Sequence, residues 1–174
     1  QLRLEPFDLG LPADPGLNGS VVGQIDLARA ARFAALDGQK VAGMVNADLR
    51  LGGSVAKPAV NGQIRMDSGS FLDVVNGVAL RDIQLLIAAT GQKIAIQTLS
   101  ATDGREGKLT ATGGFDLGDA RFPFEVDVRL DKLRPVLGDD LMVQIGGTAS
   151  VKGDKSAAAV LGRLKIDRAD IQIP

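Results

Sequence analysis

Met44-Val45-Asn46-Ala47-Asp48-Leu49-Arg50-Leu51 alternates without a break, Val45, Ala47, Leu49 and Leu51 on one phase and Met44, Asn46, Asp48 and Arg50 on the other. Successive side chains of an extended chain point to opposite faces, so this stretch predicts a β-strand with one apolar side. Gly52-Gly53 follow, and GGSVAKP at 52–58 carries the residues of a tight turn. The same alternation recurs at Val60, Ile64 and Met66, at Ile83, Leu85 and Ile87, at Ile94 and Ile96, and at Leu109, Ala111, Phe115 and Leu117. It continues through Phe122, Phe124, Val126, Val128 and Leu130, then Leu141, Val143, Ile145, Ala149 and Val151, and finally Leu164, Ile166, Ile171 and Ile173. About a dozen strands are expected on this pattern, in an all-β fold.

One segment departs from period two. LARAARFAALD at 27–37 reads as a helix, with Asp26 able to cap its start and Gly38 to end it. A second short turn is expected in RPVLGDD at 134–140. The connections, such as TDGREG at 102–107, are turn chemistry rather than linkers, and no domain boundary is expected.

An internal repeat organises the chain. At an offset of 100 residues, roughly 43–73 falls on 143–173, and Val45/Ile145, Leu51/Val151, Gly53/Gly153, Val60/Val160, Gly62/Gly162 and Asp67/Asp167 come into register. GQIRMDSGSF at 62–71 corresponds to GRLKIDRADI at 162–171. Alternation alone aligns apolar residues, so the Gly and Asp matches carry the weight. Repeated strand units imply an array in which each unit covers the edge of the next.

Composition narrows the chemistry. The 174 residues contain no His, Cys, Trp or Tyr, which removes the usual general base, the thiol nucleophile and the soft metal ligands. Twenty basic residues against 21 acidic ones give a net charge of −1, with the signs interspersed, so no footprint for nucleic acid or anionic headgroups is expected. The Gly-Gly pairs at 52–53, 113–114 and 146–147 are not followed by a helix or by Gly-Lys-Ser/Thr, and bulges or close strand approach account for them better than phosphate loops. Asp67, Asp73, Asp82 and Asp103 sit at different phases without a glutamate-terminated loop, which favours turn and strand-end roles over a calcium site. Ser68, Ser70 and Ser100 have no histidine to activate them. The expectation is a protein that is not an enzyme, with no catalytic residue, metal or cofactor. The start at Gln1 and the end in mid-pattern at Pro174 read as an excised piece of a longer chain, and no stretch approaches the roughly 20 apolar residues of a spanning helix.

The phrases VNADLRLGGSVAKPAVNGQIRMDSGSF, NGVALRDIQLLIAATGQKIAIQTLSATDGREGKLTATGGFDL, IGGTASVKG and LGRLKIDRADIQIP, in this order, resemble the C-terminal region of TamB-type proteins within the AsmA-like group of Gram-negative envelope proteins. The resemblance implies a long sheet curled lengthwise into a taco-like groove with an apolar interior. It also implies a periplasmic bridge anchored in the inner membrane by a segment outside this chain. An outer-membrane barrel of the TamA type is the implied partner, with phospholipid transport or outer-membrane protein assembly and secretion, autotransporters included, as the implied work. No motif assigns a role to a single residue. On alternation phase, the expected groove lining is Ile64, Met66, Phe71, Ile83, Leu85, Ile87, Leu109, Phe115, Phe122, Phe124, Val126, Val128, Ile145, Leu164 and Ile166. Its clients are phospholipid acyl chains or unfolded outer-membrane protein strands. The competing expectation is a solenoid or adhesin stalk whose alternating strands merely fill a core.

Overall fold

A computed structural model of the chain describes residues 14–33, 38–134 and 141–171. Their architecture is one open antiparallel sheet of nine strands, each paired with its neighbours in sequence. The strands are β1 (Gly19–Asp26), β2 (Gln39–Gly53), β3 (Pro58–Asp73), β4 (Val78–Thr90), β5 (Lys93–Thr102), β6 (Lys108–Asp116), β7 (Phe124–Leu133), β8 (Leu141–Gly153) and β9 (Ala158–Ile171). Short connections between antiparallel neighbours favour this meander, because no crossover is needed to bring consecutive strands together.

Among the described residues the count is nine, where about a dozen are expected over the whole chain. Strands reach 16 residues, and what reads as two short runs of opposite phase is one strand crossing a bulge. Between β2 and β3 the pairing steps from Val45↔Met66 to Gly43↔Gly69, so β3 carries one extra residue there. Beyond it, Val41 faces Phe71. The even-numbered apolar residues Ile64 and Met66 and the odd-numbered Phe71 therefore share a face. Similar register shifts occur in the β4–β5, β5–β6, β7–β8 and β8–β9 pairs.

The helix is shorter than the eleven-residue reading. It covers Leu27–Ala30 (α1), capped by Asp26, whose carboxylate accepts from Ala28 N at 2.9 Å and Arg29 N at 3.4 Å, and it tightens into a 3-10 turn at Ala31–Phe33. A single turn forms one costly nucleus with little propagation, so the cap and the packing of α1 on β1 and β2 sustain it. Residues 34–37, most of the turn expected at 134–140, and Ile173 lie outside the described residues. Phe122 was expected to begin a strand, but β7 starts at Phe124. Phe122 N donates to Asp119 O at 2.9 Å, closing a turn that ends at Pro123.

The hairpin β2–β3 and the hairpin β8–β9 have the same pairings 100 residues apart: Val45↔Met66 with Ile145↔Ile166, Leu51↔Val60 with Val151↔Val160, and Val41↔Phe71 with Leu141↔Ile171. The Arg65–Asp67 ion pair at 2.7 Å has its counterpart in Lys165–Asp167 at 3.1 Å. The turns match as well: Ser54 N donates to Lys57 O at 3.1 Å, and Asp154 N to Ala157 O at 2.9 Å.

Candidate functional site: the apolar face of the sheet

Cross-strand pairing turns the alternating strands into continuous rows. One row runs Ala47, Ile64, Ile87, Ile96, Gly113, Val126, Val151 and Val160. The next runs Val45, Met66, Leu85, Leu99, Ala111, Val128, Ala149 and Gly162. A third joins Ala89, Ile94, Phe115 and Phe124, and a fourth Ala101, Leu109, Leu130, Gly147 and Leu164. Leu133, Ile145 and Ile166 continue at one rim, as do Phe71 and Leu80. Ile83 stands two residues before Leu85 in β4, just beyond the bulge at Asp82, whose φ is 50°. The structure thus gathers fourteen of the fifteen expected lining residues on one face of one sheet. The fifteenth, Phe122, reaches the same region from its loop: its ring stacks on Phe115 at 6.0 Å between centroids, with Lys155 Nζ 6.0 Å from its centre.

The opposite face is different in kind. Its row Gln84, Ser100, Thr110, Arg129, Thr148 and Arg163 is polar throughout. The adjacent row on that face holds Asp127, Ser150 and Leu161, and in the row beyond it Glu125 faces Lys152, their ion pair closing to 2.5 Å.

Burial follows the same division. The buried hydrophobic residues are Met66, Ala89, Ala101, Ala111 and Leu133, all on the apolar face. Most of their neighbours there are half-buried, and no described side chain falls below 2 % exposure. Substantial packing among the described residues occurs only between consecutive strands and around α1. No second layer of described residues lies on the apolar rows, so the shielding seen there comes from neighbouring side chains on the same sheet. That is the opposite of a filled sandwich core, where inner faces interdigitate.

Glycines let the strands bend. Gly62 and Gly147 lie mid-strand at φ 132° and 131°, and a Cβ on either would stand 2.0 Å and 2.2 Å from the carbonyl oxygens of Asp48 and Arg163. Only glycine fits where backbones approach this closely, and such kinks are the usual source of sheet curvature. Met66 packs against Gly43 and Gly69, its Sδ lying 3.0 Å and 2.7 Å from where their Cβ atoms would stand.

The carboxylates considered for chemistry serve the backbone and neighbouring side chains. Asp73, only 5 % exposed, accepts from Asn76 N at 2.9 Å, Asn76 Nδ2 at 2.8 Å and Gln39 Nε2 at 3.2 Å. Asn76, first through its side chain and then through its backbone, holds the Asp73 carboxyl below its ordinary pKa, with Gln39 and the Val75 N–H adding to this and burial opposing it. Asp103 accepts from Arg105 N, Gly107 N and Arg134 N, tying the β5–β6 turn to the end of β7. Asp82 accepts from Thr102 Oγ1, and Asp67 pairs with Arg65. No group of three metal-ligating residues occurs among the described residues.

Alternation reading missed Leu99 and Ala101 as members of this face. Ile94 and Ile96 set an even phase, and the pairing then steps from Ile96↔Gly113 to Leu99↔Ala111, one residue being absorbed in β5. The skipped beat, two apolar pairs of opposite parity separated by Gln97-Thr98, is the signal that marks such a bulge. Leu133 was missed for the same reason, the bulge there lying at Lys132 with φ 48°.

No helix among the described residues is long and apolar enough to cross a membrane. No curated protein and no solved structure matches the chain. Residues 97–174 match the family of the TamB C-terminal domain, which connects the chain with the translocation and assembly module of the envelope. The match covers β6 to β9 and most of β5, including the second copy of the repeated hairpin. The open antiparallel meander runs through the matched residues, so over residues 97–174 the chain is similar to the TamB C-terminal domain.

Proposed function

We propose that the apolar face is the wall of a groove that carries greasy clients through the periplasm without exposing them to water. The observation that supports this reading is the set of continuous rows of aliphatic residues and glycine with no second layer of described residues over them. Burying apolar surface gains about 25 cal/mol per Å² and has no preferred direction, so a continuous row holds an apolar chain and still lets it slide. Nine strands at about 4.8 Å spacing make a wall roughly 40 Å long. The client is a phospholipid acyl chain, and the chain works as one section of an inner-membrane-anchored bridge to an outer-membrane barrel of the TamA type. The apolar side of an unfolded outer-membrane protein strand, an autotransporter's included, is the other client such a wall fits. No step in this activity is enzymatic.

The test is a photo-crosslinker placed at Leu85 and, separately, at Gln84 in the protein produced in a Gram-negative host, followed by native mass spectrometry and lipid extraction. Phospholipid crosslinked from Leu85 and not from Gln84 is the expected result. Crosslinks to polypeptide from Leu85 would move the assignment to protein clients. Absence of any adduct from Leu85 would refute the groove.

A further inference from the structure

Among the described residues three that are not glycine have a positive φ: Asp82 and Lys132, at 50° and 48°, each at a strand bulge, and Phe122, at 55°, in the loop between β6 and β7. A bulky side chain rarely takes this left-handed conformation. Pro123 follows, and a proline pushes the residue before it toward extended backbone. A conformation disfavoured twice over persists only where its surroundings impose it.

Those surroundings are explicit. Phe122 N donates to Asp119 O at 2.9 Å, and Asp116 N donates to Pro123 O at 3.0 Å across the neck of the loop. From the β8–β9 turn, Lys155 N donates to Arg121 O at 2.9 Å and Lys155 Nζ to Ala120 O at 2.7 Å, so one residue grips two successive carbonyls of the loop. The same Nζ stands 6.0 Å from the centre of the Phe122 ring. That ring lies within 7° of parallel to the ring of Phe115, the centroids 6.0 Å apart. Phe115 belongs to the apolar row with Ile94 and Phe124. Phe122 therefore covers a member of the row from outside the strands, while staying 37 % exposed itself.

The loop thus has two arrangements in opposition. With the ring on Phe115, the stack and the Lys155 grip are made and the backbone is strained. With Phe122 turned to the extended region that Pro123 favours, the strain is gone, the ring leaves Phe115 and the row is uncovered. Charge does not choose between them: Asp116, Asp119 and Asp154 each accept backbone N–H groups within their own turns, and Arg121 pairs with Asp119 at 3.6 Å. We infer that Phe122 is a displaceable cap on the apolar row, standing over Phe115 until an acyl chain takes its place. The inference rests on the groove reading above. An acyl chain gives Phe115 the apolar contact that the ring gives it, with no strained backbone behind it.

A cap and a lining residue have opposite signatures, since removing a cap strengthens client binding and removing lining weakens it. The probe is dihexanoylphosphatidylcholine below its micellar concentration, titrated calorimetrically into the delipidated 174-residue chain and its variants. Phe122→Ala should bind at least about threefold more tightly than wild type, because the open form no longer has to be selected from a capped population. Lys155→Ala, which loosens the grip and keeps the ring, should shift affinity the same way. The chain has no Trp or Tyr, so Phe122→Trp carries a sole indole, whose quenching by acrylamide should rise as lipid saturates the protein. Weaker or unchanged binding by Phe122→Ala overturns the cap, as does an indole no more accessible with lipid than without; lipid binding by the wild type leaves the groove standing in both cases. Absence of lipid binding by wild type and variants alike removes the groove and the cap together. Should Phe122→Ala lose its β-sheet circular dichroism, Lys155→Ala decides alone, and unchanged affinity there is the refuting result.

Discussion

Met66 and Ile166 occupy the same place in two hairpins of identical register, yet the first is 7 % exposed and the second 66 %. β4 makes the difference, setting Leu85 beside Met66. Met66 also fills the space above Gly43 and Gly69. Met66→Ala should therefore cost about 2–4 kcal/mol, the range for emptying a packed aliphatic site, and Ile166→Ala less than about 1 kcal/mol. Urea denaturation of the two variants measures this directly. Similar losses would mean that the edge strand is covered in solution.

Asp103 holds three backbone N–H groups, two in its own turn and one at Arg134 across to the end of β7. Removing a charged acceptor leaves those donors to water or to nothing. Asp103→Ala should destabilise the chain by roughly 2–3 kcal/mol, with hydrogen exchange accelerating first in the β5–β6 turn and the end of β7. Loss confined to the turn would show that the link to Arg134 contributes nothing.

How far the sequence discloses this molecule is set by the bulges. Runs of unbroken alternation, such as 44–51 or 124–130, carry their face assignment openly, because a period of two leaves only one way to put Val45, Ala47 and Leu49 on the same side. The repeat was equally legible, since glycine and aspartate matches are not produced by alternation. Phe71 was placed correctly across the β3 bulge, but at other phase reversals the side stayed hidden: Leu99, Ala101 and Leu133 read as the wrong side until pairing shows the step. Phe122 shows a different limit. Its apolar character is plain, but its left-handed backbone, φ 55°, and its stack on Phe115 depend on a loop packed against the β8–β9 turn, where Lys155 N donates to Arg121 O at 2.9 Å. Alternation also says nothing about whether a second layer covers a face, and the lack of one among the described residues is what favours a groove over a stalk.

The glycine kinks make a paired prediction. Gly62→Ala meets both the wrong backbone region and the Asp48 carbonyl, and should cost more than about 1 kcal/mol. Gly23→Ala meets nothing within 4 Å and has ordinary backbone angles, so it should be neutral or slightly stabilising. Thermal melting of the two variants separates a requirement for curvature from a general dislike of side chains on this sheet.

Acid should loosen the turns before the rows. The Asp73 carboxyl is depressed in the folded chain by Asn76 and then Gln39, and those of Asp14 and Asp154 are depressed chiefly by the hydroxyls of Ser54 and Ser156. A depressed carboxyl contributes stability that is present above its unfolded pKa, about 3.9, and is lost as pH falls through the lower folded value. The wild-type chain should thus lose stability below about pH 4, and the gap between it and Asp73→Ala should narrow over the same interval. Denaturation midpoints taken from pH 6 to pH 2 provide the comparison. A gap that stays constant throughout would remove Asp73 from the account.

Leu85 tests whether the apolar face is a wall or a core. It lies between Met66 and Leu99, half-buried, with no second layer above it among the described residues. An arginine at this position lays its aliphatic stem along the row and carries its charge out into the open space, so the sheet should survive. The charge would sit where an acyl chain has to pass, and desolvating it is unfavourable. Leu85→Arg and Val126→Arg should keep the β-sheet circular dichroism spectrum while cutting co-purified lipid by about tenfold or more, and Gln84→Arg on the polar face should leave both unchanged. If Leu85→Arg unfolds the chain instead, the space above the row is occupied, and the aliphatic face is a packing surface rather than a path.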